Sequence, residues 1–360
     1  MGIANSRLVL WTSTHVIRLA ILFLALSSLA ALWAGSPGTP IVHADGISSP
    51  PPGTVVHAAS CEQAPPQSVK DRATYTPAEL ARYGLPPRTA DEPFDKWAKI
   101  VRAAGKRVCD YTVGTGHWGY FYNSIWGGYV ADESSPGQNY TEADMDYYVP
   151  CITGTPPSPA GSAVMGAWIG LGGNTGVPLV QAGTVDFQNW DPIHGYQNLY
   201  QAFVENTGTD VQNPDPPRYF FTMSCPTHIY VKVWGGDCMY VLDINNGVNT
   251  GDQCYGVSAD NQSAEAIVER NKNVVDYPYF TDFSSATFHG VGITDNSSYK
   301  AMNQVPHDYT EPRDCLAAHG SCSRTSLTGW GNPLETVGSI QNDPNDVPYD
   351  QYTVTWKLYS

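Results

Sequence analysis

The sequence is poor in charge. Asp, Glu, Lys and Arg make up 15% of its 360 residues, and cations are the scarcer sign, with 19 Lys and Arg against 34 Asp and Glu for a net −15. The imbalance is local. Residues 1–109 hold 11 basic and 7 acidic side chains, a net of +4, leaving 8 and 27, or −19, for residues 110–360. Such an acidic body repels phosphates and excludes nucleic acid as a natural partner; it suits a protein that works in acid, where carboxylates lose their charge. The catalytic signatures of the common hydrolases are missing too. There is no H-E-x-x-H pair for a zinc hydrolase, no G-x-S-x-G elbow and no Asp-Thr-Gly triplet. No C-x-x-C pair supports a zinc ribbon or thioredoxin-like chemistry. "DINNG" (243–247) reads as a turn, because the remaining oxygen ligands of a calcium loop are absent. Neither metal nor cofactor is expected. Beyond Ala34 no apolar run is long enough to cross a membrane.

What is present begins with an export signal. Arg7 and Arg18 precede an apolar run from Leu19 to Ala34, short for a membrane span and suited to a signal peptide over 1–44, cleaved after Ala44. The eight cysteines fit an oxidising compartment. Their spacing admits Cys315–Cys322 in a small loop and Cys225–Cys238 across a hairpin, among many complete pairings. The expected product is secreted, extracellular and monomeric, with no membrane contact once the signal is gone.

Residues 45–68, rich in Pro, Ser and Ala, read as a linker. Two short helices follow. Thr76 before Pro77 forms an N-cap with Pro in the first turn and Gly84 as the stop, and Phe94, Trp97, Ile100 and Val101 recur at helical spacing. This basic stretch, within 45–112, reads as a helical propeptide-like segment lying on the acidic body. From 113 to 360 the texture is short alternating runs, among them "VPLVQAGTVDF" (177–187), "HIYVKVWGG" (228–236) and "YTVTWKLY" (352–359). They predict an all-β fold, an antiparallel sandwich, with polar residues 306–350 as a long loop insertion.

Two polar residues interrupt apolar strands, Gln181 in "PLVQAG" and Glu269 in "AIVER". A carboxylate can act as general base on water, and an amide can donate to a developing oxyanion. In "SAEAIVER" the other glutamate, Glu265, shares a face with Glu269 but stands about 13 Å away along the strand, too far to pair with it. The partner of Glu269 must come from another strand.

Several stretches match, in order, those of the glutamic peptidases, the eqolisin family of acid-acting secreted endopeptidases. "NSIWGGYV" (123–130), "AWIGLGG…VPLVQAG" (167–183), "YQAFVE" (200–205), "SAEAIVER" (263–270) and "FTDFSSATF" (280–288) carry the resemblance, over roughly residues 120–295. The resemblance implies a concanavalin-like sandwich of two large sheets, protein or peptide substrates, and Gln181 and Glu269 as a catalytic dyad. It also implies Trp126, Trp168, Phe203 and Glu205 as substrate-binding neighbours. The chain differs from the family pattern at Gly172, where an acidic residue is expected, and at Ala266, where an aromatic one is. The alternative function is a non-catalytic secreted sandwich that binds peptides or carbohydrate. For a glycosidase, Glu205 with Glu269 is the carboxylate pair to nominate.

Overall fold

The computed structural model describes residues 55–57, 61–89, 92–113, 126–132, 139–154, 163–173, 178–208, 215–270, 282–296, 298–310, 313–315, 330–333, 335–342 and 350–357. All belong to one unit, Pro50–Ser360; the expected signal peptide, 1–44, lies outside the described residues. The fold is an all-β sandwich of two large antiparallel sheets, of nine and ten strands, with a further two-stranded sheet. The middle of the nine-stranded sheet runs, in spatial order, Gly195–Asn206, Leu179–Asp191, Ala163–Gly172, Ser263–Arg270 and Trp126–Asp132. The middle of the ten-stranded sheet runs Cys238–Asp243, His228–Trp234, Tyr140–Tyr148, Ser285–Asp295 and Asp350–Trp356.

Between the sheets lies one apolar core. Ala167, Ile169, Val180, Ala182, Val204, Ala264 and Val268 come from the nine-stranded sheet, and Met145, Tyr147, Val231, Val241, Phe288 and Val354 from the other. Alternation sends the remaining side chains of the nine-stranded sheet to its opposite face. There a second apolar cluster forms from Trp126, Val130, Trp168, Val185, Phe187, Phe203 and Ile267. With both faces buried, Ala163–Gly172 is apolar along its whole length, as expected of a central strand.

Helix α1 (Pro77–Tyr83) is closed by a capping box between Thr76 and Glu79, and ends at Gly84 with φ 62°, where a left-handed backbone favours glycine. Helix α2 (Phe94–Ala103) buries Trp97, Ile100 and Val101 and leaves Phe94 exposed. Both pack on Tyr230, Tyr240 and Leu242 of the ten-stranded sheet, the side of the sandwich away from the Trp126–Phe203 cluster. Ion pairs join the helices to that sheet. Lys96 reaches Asp144 at 2.9 Å, and Lys232 reaches Glu92 at 2.8 Å and Glu142 at 3.0 Å, every one of these side chains being buried.

The structure corrects three expectations. Cys225 pairs with Cys151, and Cys238 with Cys254, instead of with each other. Cys238 faces Trp234 in the ladder, so Cys225, preceding His228, lies at the other end of that hairpin. The third disulfide is Cys61–Cys109; Cys322, the expected partner of Cys315, lies outside the described residues. The linker 45–68 contributes a strand, Val55–His57, paired with Asp110–Val113. Finally, 306–350 is not simply a loop. His307–Thr310 extends the nine-stranded sheet beside Trp126–Asp132, and Glu335–Val337 and Gln341–Asn342 pair with the last strand. Short edge strands in a Pro- and Asn-rich stretch lack the alternation that marks longer ones.

Candidate active site

The nine-stranded sheet carries three cross-strand rows of side chains on its outer face. Residues directly opposite in a ladder share a face, so each row follows from the register. The first row is Glu205, Gln181, Gly170, Glu265 and Val130. The second is Phe203, Gly183, Trp168, Ile267 and Gly128, and the third is Gln201, Val185, Gly166, Glu269 and Trp126. Gln181, Glu205, Glu265 and Glu269 are all buried. All six residues singled out from the sequence lie on this face.

The register divides them into two groups. Gln181 and Glu205 sit side by side, with Gln181 Nε2 donating to Glu205 Oε2 at 2.5 Å. The oxygen of the amide, Gln181 Oε1, is buried without a hydrogen-bond partner. Glu269 belongs with the tryptophans. Trp168 Nε1 donates to Glu269 Oε2 at 2.8 Å, Trp126 also hydrogen-bonds the carboxyl, and the indole rings meet edge to face with centroids 5.1 Å apart. Phe203 lies in the apolar row between the two groups.

Gln181 therefore faces Glu265, two strands away in the same row, with Gly170 between them. Adjacent strands are about 4.8 Å apart, which puts the two Cα atoms about 9.6 Å from each other. Gly170 has no side chain, and its neighbours close over it: a Cβ there would come 2.9 Å from the Trp168 ring, 3.0 Å from Leu179 Cδ1 and 3.2 Å from the Val180 carbonyl oxygen. Glu269, four positions beyond Glu265, is about 16 Å from Gln181 between Cα atoms on the same spacings. The expected Gln181–Glu269 pair shares a face but not a row. A one-chain pattern shows two glutamates on one strand face; the inter-strand register selects which one stands across from the amide.

Burial pushes Glu269 up to about 8, against the pull of the Trp168 and Trp126 donors. Burial also holds Glu205 well above the ordinary range, opposed by the Gln181 hydrogen bond and reinforced by the negative charges of Glu269 and Asp215. In acid both are neutral carboxylic acids, which donate hydrogen bonds. Glu265 is buried as completely as Glu269, so burial does not choose between them as a base; the register does, by placing Glu265 in the row of Gln181.

Among the described residues no group of three or more His, Cys, Asp or Glu side chains is placed to hold a metal ion. No protein-family model matches the chain, and no curated protein sequence matches it.

Proposed function

We propose that this chain is a secreted, acid-acting endopeptidase in which Gln181 and Glu265, aligned in one cross-strand row, activate a water molecule. The observation that carries the reading is the shared row of Gln181, Gly170 and Glu265 on a buried sheet face. An amide that donates to an oxyanion and a carboxylate that takes a proton are the parts that water attack on a carbonyl requires. Glu265 takes a proton as the water oxygen bonds to the scissile carbonyl carbon. The oxyanion then accepts a hydrogen bond from Gln181, since Glu205 engages one of the two amide N–H groups and leaves the other. Glu265 returns the proton to the amine nitrogen as the C–N bond breaks.

Glu205 positions the amide, and Glu269, gripped by Trp126 and Trp168, offers a neutral carboxyl to a bound peptide. The three disulfides agree with an oxidising compartment, and among the described residues no helix is long and apolar enough to cross a membrane.

The test is degradation of an unfolded protein in acid by the full chain and three variants. Gln181→Ala should lower turnover about 100-fold or more, the scale of a lost oxyanion donor. Glu265→Gln should remove nearly all activity, while Glu269→Gln, still able to accept from the indoles, should retain more. The reverse order would return the role of base to Glu269. Full activity in all three would reject the peptidase reading.

A further inference from the structure

The other side of the sandwich holds a cavity that the proposed chemistry leaves unused. It has a volume of about 490 Å³ and is lined by residues at the paired ends of the strands Tyr140–Tyr148 and Ser285–Asp295. Its wall includes Tyr148, Thr153, Ser284, Ser285, Thr287 and His289. Tyr148 is 53% exposed, an unusual place for so large a ring. One face of that ring is backed by the His228 imidazole, with centroids 4.6 Å apart and planes 14° from parallel. His228 is held in turn by Asp146, and the Cys151–Cys225 disulfide ties the adjacent floor. The result is a braced aromatic plate beside a hydroxyl-lined hollow.

The lining chemistry narrows the ligand. Among the described lining residues there is no Asp, Glu, Lys or Arg; the nearby carboxylates of Asp282 and Asp146 are engaged by Thr153 and His228. The Thr153 hydroxyl donates to Asp282 and that of Thr287 bonds Thr353, and with Ser284, Ser285 and His289 they make a polar, uncharged wall that suits a ligand carrying many hydroxyls of its own. An extended peptide is disfavoured because Ser285–Asp295 is paired on both sides, with Tyr140–Tyr148 and Asp350–Trp356, leaving no backbone edge to augment. A sugar ring satisfies both features, laying its C–H face on an aromatic plate and its hydroxyls toward the polar wall. The volume lies within the range of small-molecule sites.

We propose that Tyr148 and this cavity form a binding site for a neutral saccharide, on the side of the sandwich opposite the Gln181 row. Such a site would hold the protein on a glycan surface while the other face works on a different substrate. It does not depend on the peptidase reading.

The experiment is retention of the full chain on insoluble β-glucan, chitin and cellulose, followed by titration with soluble oligosaccharides of whichever polymer retains it. The unaltered chain should bind at least one polymer. Tyr148→Ala should weaken binding about tenfold or more, the equivalent of one stacking contact, whereas Tyr148→Phe, which keeps the ring, should bind normally. Acid proteolysis of a soluble substrate should be the same in all of them. Retention by none of the polymers, or equal retention of Tyr148→Ala, would overturn the proposal. Binding that is lost in Gln181→Ala and kept in Tyr148→Ala would place the sugar on the opposite face, and would overturn it equally.

Discussion

Gly170 is the residue on which the candidate site turns, because it lets the Trp168 ring and Leu179 close over the strand between Gln181 and Glu265. A methyl group there would sit 2.9 Å from the Trp168 ring and 3.0 Å from Leu179 Cδ1. Gly170→Ala should therefore force Trp168 aside and destabilise the fold by about 1–3 kcal/mol, the scale of overpacking. A lowered melting temperature is the expected result, and an unchanged melt would show that Trp168 moves at no cost. Gln181 was recognisable in the sequence as a polar interruption of an apolar strand, whereas Glu265 was passed over in favour of Glu269. The role of Gly170 was not legible either, since a glycine in a strand is equally a bulge, a packing contact or nothing.

The helical segment illustrates how an element can be recognised without its role. Thr76, Pro77, Glu79 and Gly84 announce α1 from local chemistry alone, and the cap geometry agrees. A basic segment held on an acidic body by charge alone would be released as the carboxylates are protonated in acid; burial acts in the opposite sense. The segment's helices lie on the ten-stranded sheet, and burial raises both Glu92 and Glu142 around Lys232. Groups that titrate higher when docked than when freed retain their protons on docking, so lowering the pH strengthens the association and raising it through their docked values weakens it. Incubation of the chain at about pH 4 should accordingly leave the segment in place. N-terminal sequencing should find no product starting within 95–120 beyond what appears at neutral pH, and an acid-specific product there would restore the propeptide reading. Trp97, buried among Leu80, Tyr230 and Tyr240, should cost about 3–5 kcal/mol when cut to alanine.

At the scale of the whole molecule, the fold encloses carboxyls that it keeps protonated. Glu269 is raised from 4.5 to about 8 by burial, and Glu205 and Asp186 are raised well above their usual values by the same cause. Asp186 points between the sheets, and neither of its oxygens has a hydrogen-bond partner. A carboxyl whose folded value is raised lends its full stability below its unfolded value and loses it as pH climbs through the folded one. For Glu269 that window runs from 4.5 to about 8. Each such group contributes a slope of about 1.4 kcal/mol per pH unit within its window. Thermal melts should thus fall steadily from mildly acid to mildly alkaline pH. Asp186→Asn should flatten the fall and raise the melting temperature at neutral pH while changing little in acid; a flat profile in the unaltered chain would contradict the buried-acid account.

By itself the sequence determined the class of fold and the inventory of the site. Period-two alternation with turn residues between runs marks strands wherever one face is buried, and helix caps are chemistry within four residues. Gln181 and Glu269 stood out because a polar side chain inside an apolar run has few structural uses, and Glu205 came with the family resemblance. Only the tertiary structure decided the rest. Sheet order and register, set by long-range pairing, put Gly170 and Glu265 across from Gln181 and assigned Glu269 to Trp126 and Trp168. The same pairing drew Cys225 to Cys151 and turned parts of 306–350 into edge strands. Each of these choices joins residues tens of positions apart, and local propensity carries no information about which distant strand becomes the neighbour.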